Sequence, residues 1–507
     1  MNKRARREVL ATFGMCALGA LAAAPAGGTV QGDFDGDGRG DLAIGAPGEN
    51  VGGGANAGAV TIVYSGATGL RPQTARLFSE NTKGVPGTPG STDRFGTALA
   101  AGDFDRDHEA DLAIGVPGRS VAGESGAGAV VVLYGTKHGL RARGSRAFTQ
   151  NTKEVEDHAE AADLFGGVLE TGDFNGDARD DLAVGVGQAN LNGENGGAGA
   201  VEVLYGSGKG LRTKADQLWT QDSPGVADAA EGADFFGGAL ASGDLGRGKR
   251  DDLAIGVPAE ALAGGFAAGA VNVLYGTPKR LRAKGDQFFS QDDPTEIAGD
   301  AEPGDLFGSA LTSGDFDHDG HADLGVGVPR EDFGAVDVGA VNVIYGSATG
   351  LVPEGNRVFL QGQPGLGDSA EAGDMLGSSL ASGRFDAGRT ADLAAGDPGE
   401  DAQAGGVNVV YGSPTGLASN DYTIMFGAAA GEGQGAALGA GRFGEDSRGD
   451  LAAGLPGDTG ATGGRIAAFY GRPAGLGFGA VDYIDQGDPG IPSAGTAFDR
   501  FGAALAP

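Results

Sequence analysis

A short phrase that recurs seven times along the chain constrains the fold more than any other feature. It first occurs as "GDFDGDGRGDLAIGAP" from Gly32 to Pro47. Further copies begin at Gly102, Gly172, Gly243, Gly314, Gly383 and Gly441. The successive spacings are 70, 70, 71, 71, 69 and 58 residues. Self-similarity at a fixed period is typical of a repeat architecture in which every repeat forms one supersecondary unit.

Each repeat predicts four short β-strands. An F-G-x-x-L phrase precedes most copies, as at Phe95-Gly96, and a run such as "GAVVVLYGT" follows the repeated phrase. A fourth β-rich run, such as "QLWTQ" from Gln217, closes the repeat, and turns rich in Gly, Pro and Asp separate the runs. Seven units of four antiparallel strands predict an all-β fold, a seven-bladed β-propeller. Neither the Gly-His nor the Trp-Asp pair of the WD repeat recurs from blade to blade.

The two ends of the repeat region predict a closed ring. No F-G-x-x-L phrase precedes the first copy at Gly32, yet the chain finishes with "FGAALAP" from Phe501 to Pro507. We therefore expect the C-terminal segment to supply the first strand of blade 1, which would leave no long sheet edge open. The predicted propeller domain covers residues 27–507.

Charge and the N-terminal segment indicate an exported protein. The net charge of −32 disfavours nucleic acid and anionic membrane surfaces as partners. Residues 1–26 combine a basic start, an apolar run and a small-residue cleavage site, which predicts a signal peptide, possibly of the twin-arginine type because of Arg6-Arg7. The only cysteine, Cys16, lies in this segment, so we expect no disulfide in the mature protein. We expect a secreted monomer without a transmembrane segment.

The repeated phrase begins with a loop whose spacing of acids predicts calcium binding. We number each loop from its first position, at residues 33, 103, 173, 244, 315, 384 and 442, and call these loops 1 to 7. Alternating carboxylates at positions 1, 3 and 5, a further one at position 9 and the carbonyl of position 7 offer the oxygen ligands that Ca²⁺ prefers. An EF-hand would need a Glu at position 12, where loop 1 has Ile44.

Four loops keep this set, which predicts about four Ca²⁺ sites, in repeats 1, 2, 3 and 5. The predicted metal residues are Asp33, Asp35, Asp37, Arg39 and Asp41; Asp103, Asp105, Asp107, Glu109 and Asp111; Asp173, Asn175, Asp177, Arg179 and Asp181; and Asp315, Asp317, Asp319, His321 and Asp323. The alternative is that these acids only stabilise turns.

The other three loops are expected to be empty. Loop 4 keeps only Asp244 and Asp252, and loops 6 and 7 begin with Arg384 and Arg442. We expect each of these arginines to bridge the aspartate at position 9, Asp392 or Asp450, in place of the metal charge. The triplet Arg39-Gly40-Asp41 falls at positions 7 to 9, so we interpret it as part of a metal loop rather than as an adhesion peptide.

Together these motifs resemble the FG-GAP repeats of the integrin α-subunit head and of many exported bacterial proteins. The resemblance implies a seven-bladed propeller with calcium in the hairpin loops between the first two strands of some blades. It implies that partners bind on the opposite face, which the loops between the second and third strands and the interblade loops form. The partner would be an extracellular protein or glycan.

The sequence contains no recognisable catalytic motif. It has no G-x-S-x-G, H-E-x-x-H or P-loop motif, and the repetition of the acid pairs assigns them to metal loops. We therefore favour an extracellular binding or adhesion module over an enzyme. The alternative is a secreted propeller hydrolase or lyase with a site at the central channel, which would require titratable residues to converge there. Six acids shortly before the Phe-Gly position are interpreted as turn formers: Asp93, Asp163, Asp234, Asp305, Asp374 and Asp499.

Overall fold

The computed structural model describes residues 32–189, 196–262, 265–292, 297–362, 366–418, 421–427, 429–444, 446–457, 463–477, 481–493, 496 and 498–507. The predicted signal peptide lies outside these residues. The described chain forms seven four-stranded antiparallel sheets, one for each repeat, which confirms the predicted seven-bladed propeller. Among the described residues, no helix has the length and apolar character needed to cross a bilayer.

The first four blades are built from the inner to the outer strand as follows. Blade 1 contains β30 (Ala504–Ala506), β1 (Leu42–Ala46), β2 (Ala59–Val63) and β5 (Arg76–Phe78). Blade 2 contains β6 (Leu99–Gly102), β7 (Asp111–Gly115), β8 (Val130–Tyr134) and β9 (Arg141–Phe148). Blade 3 contains β10 (Val168–Gly172), β11 (Asp181–Val186), β12 (Ala200–Tyr205) and β13 (Arg212–Trp219). Blade 4 contains β14 (Ala239–Gly243), β15 (Asp252–Val257), β16 (Ala270–Tyr275) and β17 (Arg282–Phe289).

The remaining blades follow the same order. Blade 5 contains β18 (Ala310–Gly314), β19 (Asp323–Val328), β20 (Ala340–Tyr345) and β21 (Val352–Phe359). Blade 6 contains β22 (Ser379–Gly383), β23 (Asp392–Asp397), β24 (Gly406–Val410) and β25 (Tyr422–Phe426). Blade 7 contains β26 (Ala437–Gly441), β27 (Asp450–Leu455), β28 (Arg465–Phe469) and β29 (Val481–Asp485). A small ribbon of β3 (Ser65–Gly66) and β4 (Gly69–Leu70), a 3₁₀ turn (Pro72–Thr74) and a helical turn (Glu400–Gln403) lie in the connections.

The core lies between the faces of adjacent blades. One apolar cluster joins Ile62 of blade 1 to Leu112 and Val131 of blade 2, and another joins Val203 of blade 3 to Ile255 of blade 4. Because a middle strand is covered on both faces, β8 reads as the unbroken apolar run "VVVLY" and is buried along its length. The outer strand β9 is covered only in part and carries exposed charged residues.

The C-terminal segment closes the ring, as predicted. Strand β30 pairs antiparallel with β1 through Ala43 with Ala506, Ile44 with Leu505 and Gly45 with Ala504. Phe501 also bridges Gly464, and the residue at the same position of the phrase, Phe in four cases and Leu or Gln in two, bridges a glycine at each of the other six blade interfaces. The last residues thus complete blade 1 and join it to blade 7.

The Phe-Gly phrase is required by close packing between blades. Phe95 is fully buried and bridges Gly58 of the preceding blade. Gly96 has a φ of +87°, and a Cβ there would lie 2.7 Å from Val60 Cγ2. Only glycine fits this position without moving a neighbouring blade.

The aspartates before this phrase act as turn formers, as predicted. In all six, a buried carboxylate accepts the backbone N–H of the residue three positions earlier, at 2.5–2.7 Å. These hydrogen bonds fix the turn that brings each interblade segment to its Phe-Gly position.

Candidate metal centres

The seven hairpin loops between the first two strands of each blade lie on one face of the ring, here called the loop face. Their backbones form a closed ring of hydrogen bonds. In every loop, the N–H of position 8 donates to the carbonyl of position 1 in the loop of the preceding blade, at 2.6–3.3 Å. The bond from Gly40 to Arg442 closes the ring between blades 1 and 7. Each loop is therefore positioned by its neighbours as well as by its own blade.

The aspartate at position 9 braces its own blade. One oxygen accepts the N–H of the residue that follows the third-strand tyrosine, at 2.8–3.0 Å in all seven repeats. In five repeats the other oxygen accepts the N–H of position 2, as from Phe34 to Asp41 at 3.0 Å. This bracing was not predicted, although its signal was present: position 9 is Asp in all seven loops, including the three that lack the full set of acids.

The aspartate at position 1 organises the tip of the loop in the four predicted metal loops. Its two oxygens accept the N–H groups of positions 5 and 6, at 2.8–3.2 Å, in Asp33, Asp103, Asp173 and Asp315. The aspartate at position 5 in turn accepts the N–H of position 7, at 2.8–3.1 Å. These bonds draw the loop around its own carboxylates.

The backbone separates the same four loops from loops 4 and 6. Positions 4 and 6 both have positive φ in loops 1, 2, 3 and 5; the residues are Gly36 and Gly38, Arg106 and His108, Gly176 and Ala178, and His318 and Gly320. In loop 4 the positive φ values fall instead at positions 3 and 4, Gly246 and Arg247. Two left-handed residues produce the tight curl that turns alternate side chains inward. Non-glycine residues adopt this conformation in loops 2, 3 and 5.

Carboxylate oxygens come together in three of these loops. Ligand atoms lie within 4.8 Å of one another in three sets: Asp33, Asp35 and Asp37; Asp103, Asp105 and Asp111; and Asp315, Asp317 and Asp323. In loop 3, Asn175 takes the place of an acid, and its Nδ2 donates to both oxygens of Asp181, at 3.2 and 2.9 Å. A cation in loop 3 would require this amide to turn its oxygen inward.

The electrostatics of the clusters fit a divalent cation. Burial, with further repulsion from neighbouring carboxylates, raises the pKa of Asp41, Asp181 and Asp323 to about 8. Burial raises the pKa of Asp105 too, and among the described residues its Oδ1 is buried without a hydrogen-bond partner. A hard cation would supply the missing partner and offset the repulsion, so these residues fit Ca²⁺.

The residues at position 7 were predicted for their carbonyls, and this contribution stays a prediction. Their side chains have other roles. Arg39 and Arg179 pair with the aspartate at position 5 of their own loops, at 3.4 and 3.5 Å. Glu109 is buried, and its Oε1 would lie 3.1 Å from a Cβ placed on Gly36 of loop 1.

The predicted arginine bridges in loops 6 and 7 are wrong. Within the described part of the chain, no ion pair joins Arg384 to Asp392 or Arg442 to Asp450, and both arginines are exposed. The physical reason is that backbone N–H groups already satisfy the aspartates. Asp392 accepts from Phe385 and Gly412, at 2.7 and 3.0 Å.

The Arg-Gly-Asp triplets are not presented to a partner. Asp41 is only 1% exposed and Asp450 only 2%, because each is the bracing residue of its loop. A docking peptide needs an accessible carboxylate, so the triplet is a consequence of the loop pattern.

Comparison with known proteins agrees with this geometry. The family model of the FG-GAP repeat matches residues 26–63, 95–133, 165–204 and 307–344. These segments contain loops 1, 2, 3 and 5, the four with the full set of predicted ligands.

Similar proteins fall into two groups. The chain is 35% identical over 153 residues to human phosphatidylinositol-glycan-specific phospholipase D. The aligned region covers 30% of this chain and 17% of that protein. It is 30% identical over 301 residues to integrin alpha pat-2 of Caenorhabditis briggsae, covering 54% of this chain and 22% of that protein. Integrin alpha-PS2 of Drosophila melanogaster is 31% identical over 236 residues, covering 45% of this chain and 15% of that protein. The similarity thus spans less than a quarter of each relative.

Fold and loops define a seven-bladed β-propeller that carries acidic hairpin loops on one face. Its repeats and its similarity to integrin α chains identify it as an FG-GAP repeat protein that resembles the integrin α propeller.

Proposed function

We propose that this protein is an exported, calcium-binding β-propeller that acts as an extracellular binding or adhesion module for a protein or glycan. The observation that carries the proposal is the set of four hairpin loops with the same curl, in three of which the carboxylate oxygens come together. The similarity to integrin α chains supports the binding role.

In this proposal, the side chains at positions 1, 3, 5 and 9 and the carbonyl of position 7 hold Ca²⁺ in loops 1, 2, 3 and 5. The ion supplies positive charge among carboxylates that would otherwise repel one another. Because position 8 of each loop is bonded to the preceding loop, an ordered loop also fixes the interface between two blades. Calcium would therefore stabilise the ring rather than take part in a reaction.

The partner would bind the opposite face, formed by the loops between the second and third strands and by the interblade segments. Large apolar side chains are exposed there: Phe498 is 85% exposed, Val336 61% and Phe333 40%. Exposed aromatic and aliphatic groups are costly in water and are typical of surfaces that bind partners.

The alternative is a hydrolase or lyase with a site at the central channel, and the similarity to a phospholipase D gives it support. The inner strands line the channel, and Glu170 is their only ionisable residue. Its side chain is fully buried and accepts a hydrogen bond from Ser242 Oγ at 2.7 Å. Because catalysis would require accessible titratable groups at the channel, this arrangement favours the binding module.

Binding of the purified protein to panels of extracellular proteins and glycans tests the proposal. A Phe498→Ala/Val336→Ala variant should lose binding to a captured ligand, whereas Tyr422→Ala/Tyr483→Ala, exposed on the outer strands, should retain it. Equal binding by both variants would place the partner elsewhere. Turnover of phosphodiester or glycoside substrates by the parent protein would favour the alternative.

A further inference from the structure

Exposed cations are concentrated on the outer strands of three consecutive blades. Strands β9, β13 and β17 each begin with two of them: Arg141 and Arg143, Arg212 and Lys214, and Arg282 and Lys284. All six are exposed, in a chain whose net charge is −32. We call these six residues the basic rim. Lys209 and Lys279, in the turns before β13 and β17, extend it.

Strand register places the three pairs at equivalent positions. Arg141, Arg212 and Arg282 each pair with the tyrosine that ends the third strand of their blade. The second cation follows two residues later and is likewise exposed, in the stretch where the register between the third and outer strands shifts. The residue between them packs inward: Ala142 and Ala283 lie against the apolar clusters shared with the preceding blades. The six cations therefore point away from the core.

The basic rim forms no ion pair within the described part of the chain, although the charge of Arg141 partly offsets the burial that raises the pKa of Asp105 in loop 2. No carboxylate lies within 4.0 Å of any of its six charged groups. Nearby acids have other partners. Asp216 accepts the N–H of Glu156 at 3.1 Å, Asp286 accepts the N–H of Ala227 at 2.7 Å, and Glu154 pairs with Lys153 at 3.7 Å. A protein with 68 acidic residues thus leaves this surface open to an external anion.

We propose that the basic rim binds a linear anionic polysaccharide. Arginine pairs with planar carboxylate or with sulfate through two parallel hydrogen bonds, and lysine adds a mobile point charge. Consecutive blades follow one another around the ring, so the three pairs lie on a convex wall. A flexible polymer can follow this curve across all three blades, whereas a flat bilayer or a stiff duplex would touch only part of it. Single-stranded nucleic acid would require accessible aromatic rings for base stacking, and the tyrosines that pair with Arg141, Arg212 and Arg282 are buried.

The inference goes beyond the proposed function because it concerns a different surface and does not depend on calcium. The basic rim ends at blade 5. At the positions equivalent to Arg282 and Lys284 it has Val352 and Glu354. Glu354 also shows that a glutamate at the second position is compatible with the blade.

Heparin, a sulfated polysaccharide, serves as the probe. The rim variant is Arg143→Glu/Lys214→Glu/Lys284→Glu, and the matched control is Arg389→Glu/Arg442→Glu/Arg472→Glu, which changes three exposed cations on blades 6 and 7. Both variants change the net charge equally. We expect the parent and the control to bind heparin, and the rim variant to bind at least about tenfold more weakly. The parent affinity should fall by roughly tenfold or more between about 50 mM and about 200 mM salt, as counterions compete.

Two further measurements serve as controls for heparin binding. Thermal unfolding of the rim variant should match that of the control, which separates loss of binding from loss of fold. Vesicles of anionic lipid should bind more weakly than heparin at equal salt. The proposal is overturned if the parent does not bind heparin at low salt, if the two variants bind equally, or if the vesicles bind more tightly through the same residues.

Discussion

At the residue scale, the aspartate at position 9 has a structural role that does not require a metal. It holds its hairpin loop to the end of the third strand through backbone N–H groups, and it does so in loops 6 and 7, which have an arginine at position 1. In the four predicted metal loops the same residue would also be a ligand. The two roles can be separated in blade 6.

Replacing Asp392 by alanine should destabilise the protein equally with calcium and with chelator. The change leaves the buried N–H groups of Phe385 and Gly412 without partners, which costs about 1–3 kcal/mol in free energy of unfolding. Denaturant unfolding in both conditions measures the loss. Asp386→Ala, in the same loop but partly exposed, is the control and should have little effect. A loss seen only with calcium would refute the structural role.

Glu202 gives a residue-scale prediction for pH. It is 1% exposed on β12, and burial together with the neighbouring Asp216 carboxyl raises its pKa to about 10. The folded state therefore holds a proton that the unfolded chain releases above about pH 4.5. This group's contribution to stability is full below that pH and is lost as pH rises towards 10.

Replacing Glu202 by glutamine should remove this pH dependence and stabilise the protein at pH 7 by up to about 3 kcal/mol. Blade 4 has an amide at the same position, and Asn272 Nδ2 donates to Asp286 at 3.1 Å. The converse variant, Asn272→Glu, should introduce a similar decline. Unfolding free energies from about pH 5 to about pH 9 test both variants. Parallel pH profiles for parent and Glu202→Gln would show that Glu202 does not hold the proton.

At the scale of elements, the repeat made the blades, their order and the ring closure predictable. The period identified the repeats, and the displaced Phe501-Gly502 phrase identified β30 as the missing inner strand. The contacts between loops could not be predicted in the same way. The ring of bonds from position 8 joins residues in different repeats, and the Asn175 amide pairs with Asp181 only once the loop has curled. Spacing gave the candidate ligands but not the partners that compete for them.

Removing residues 501–507 should destabilise the whole protein and promote self-association. The deletion exposes one edge of β1 and removes Phe501 and Leu505, which are fully buried between blades 1 and 7. An open sheet edge is a template for pairing with another chain. A lower melting temperature and larger particles in size-exclusion chromatography are the expected results. Phe498→Ala, at an exposed site beside the deletion, should leave both properties unchanged.

One result for the deletion variant would contradict this prediction. A truncated protein that melts with the parent and stays the same size would show that the ring does not depend on β30. A synthetic peptide of residues 498–507 offers a second check, because it should restore the melting temperature when added to the truncated protein.

At the scale of the whole molecule, one ring presents three distinct surfaces. The loop face carries the predicted calcium sites, the opposite face carries exposed apolar residues, and the outer edge of blades 2 to 4 carries the basic rim. The loops are linked around the ring by backbone hydrogen bonds. Calcium bound in four loops would therefore stabilise the interfaces of most blades, and its removal would destabilise the whole ring.

The calcium loops are tested by the amount of calcium bound per purified chain, measured together with thermal unfolding in calcium and in chelator. We expect about four ions per chain and a clear fall in melting temperature on chelation, because an ion that binds only the folded state stabilises it. Asp103→Ala should remove about one ion, and Asp386→Ala should remove none. A protein that binds no calcium and melts at the same temperature in chelator would contradict the account, and the acidic loops would then be polar turns.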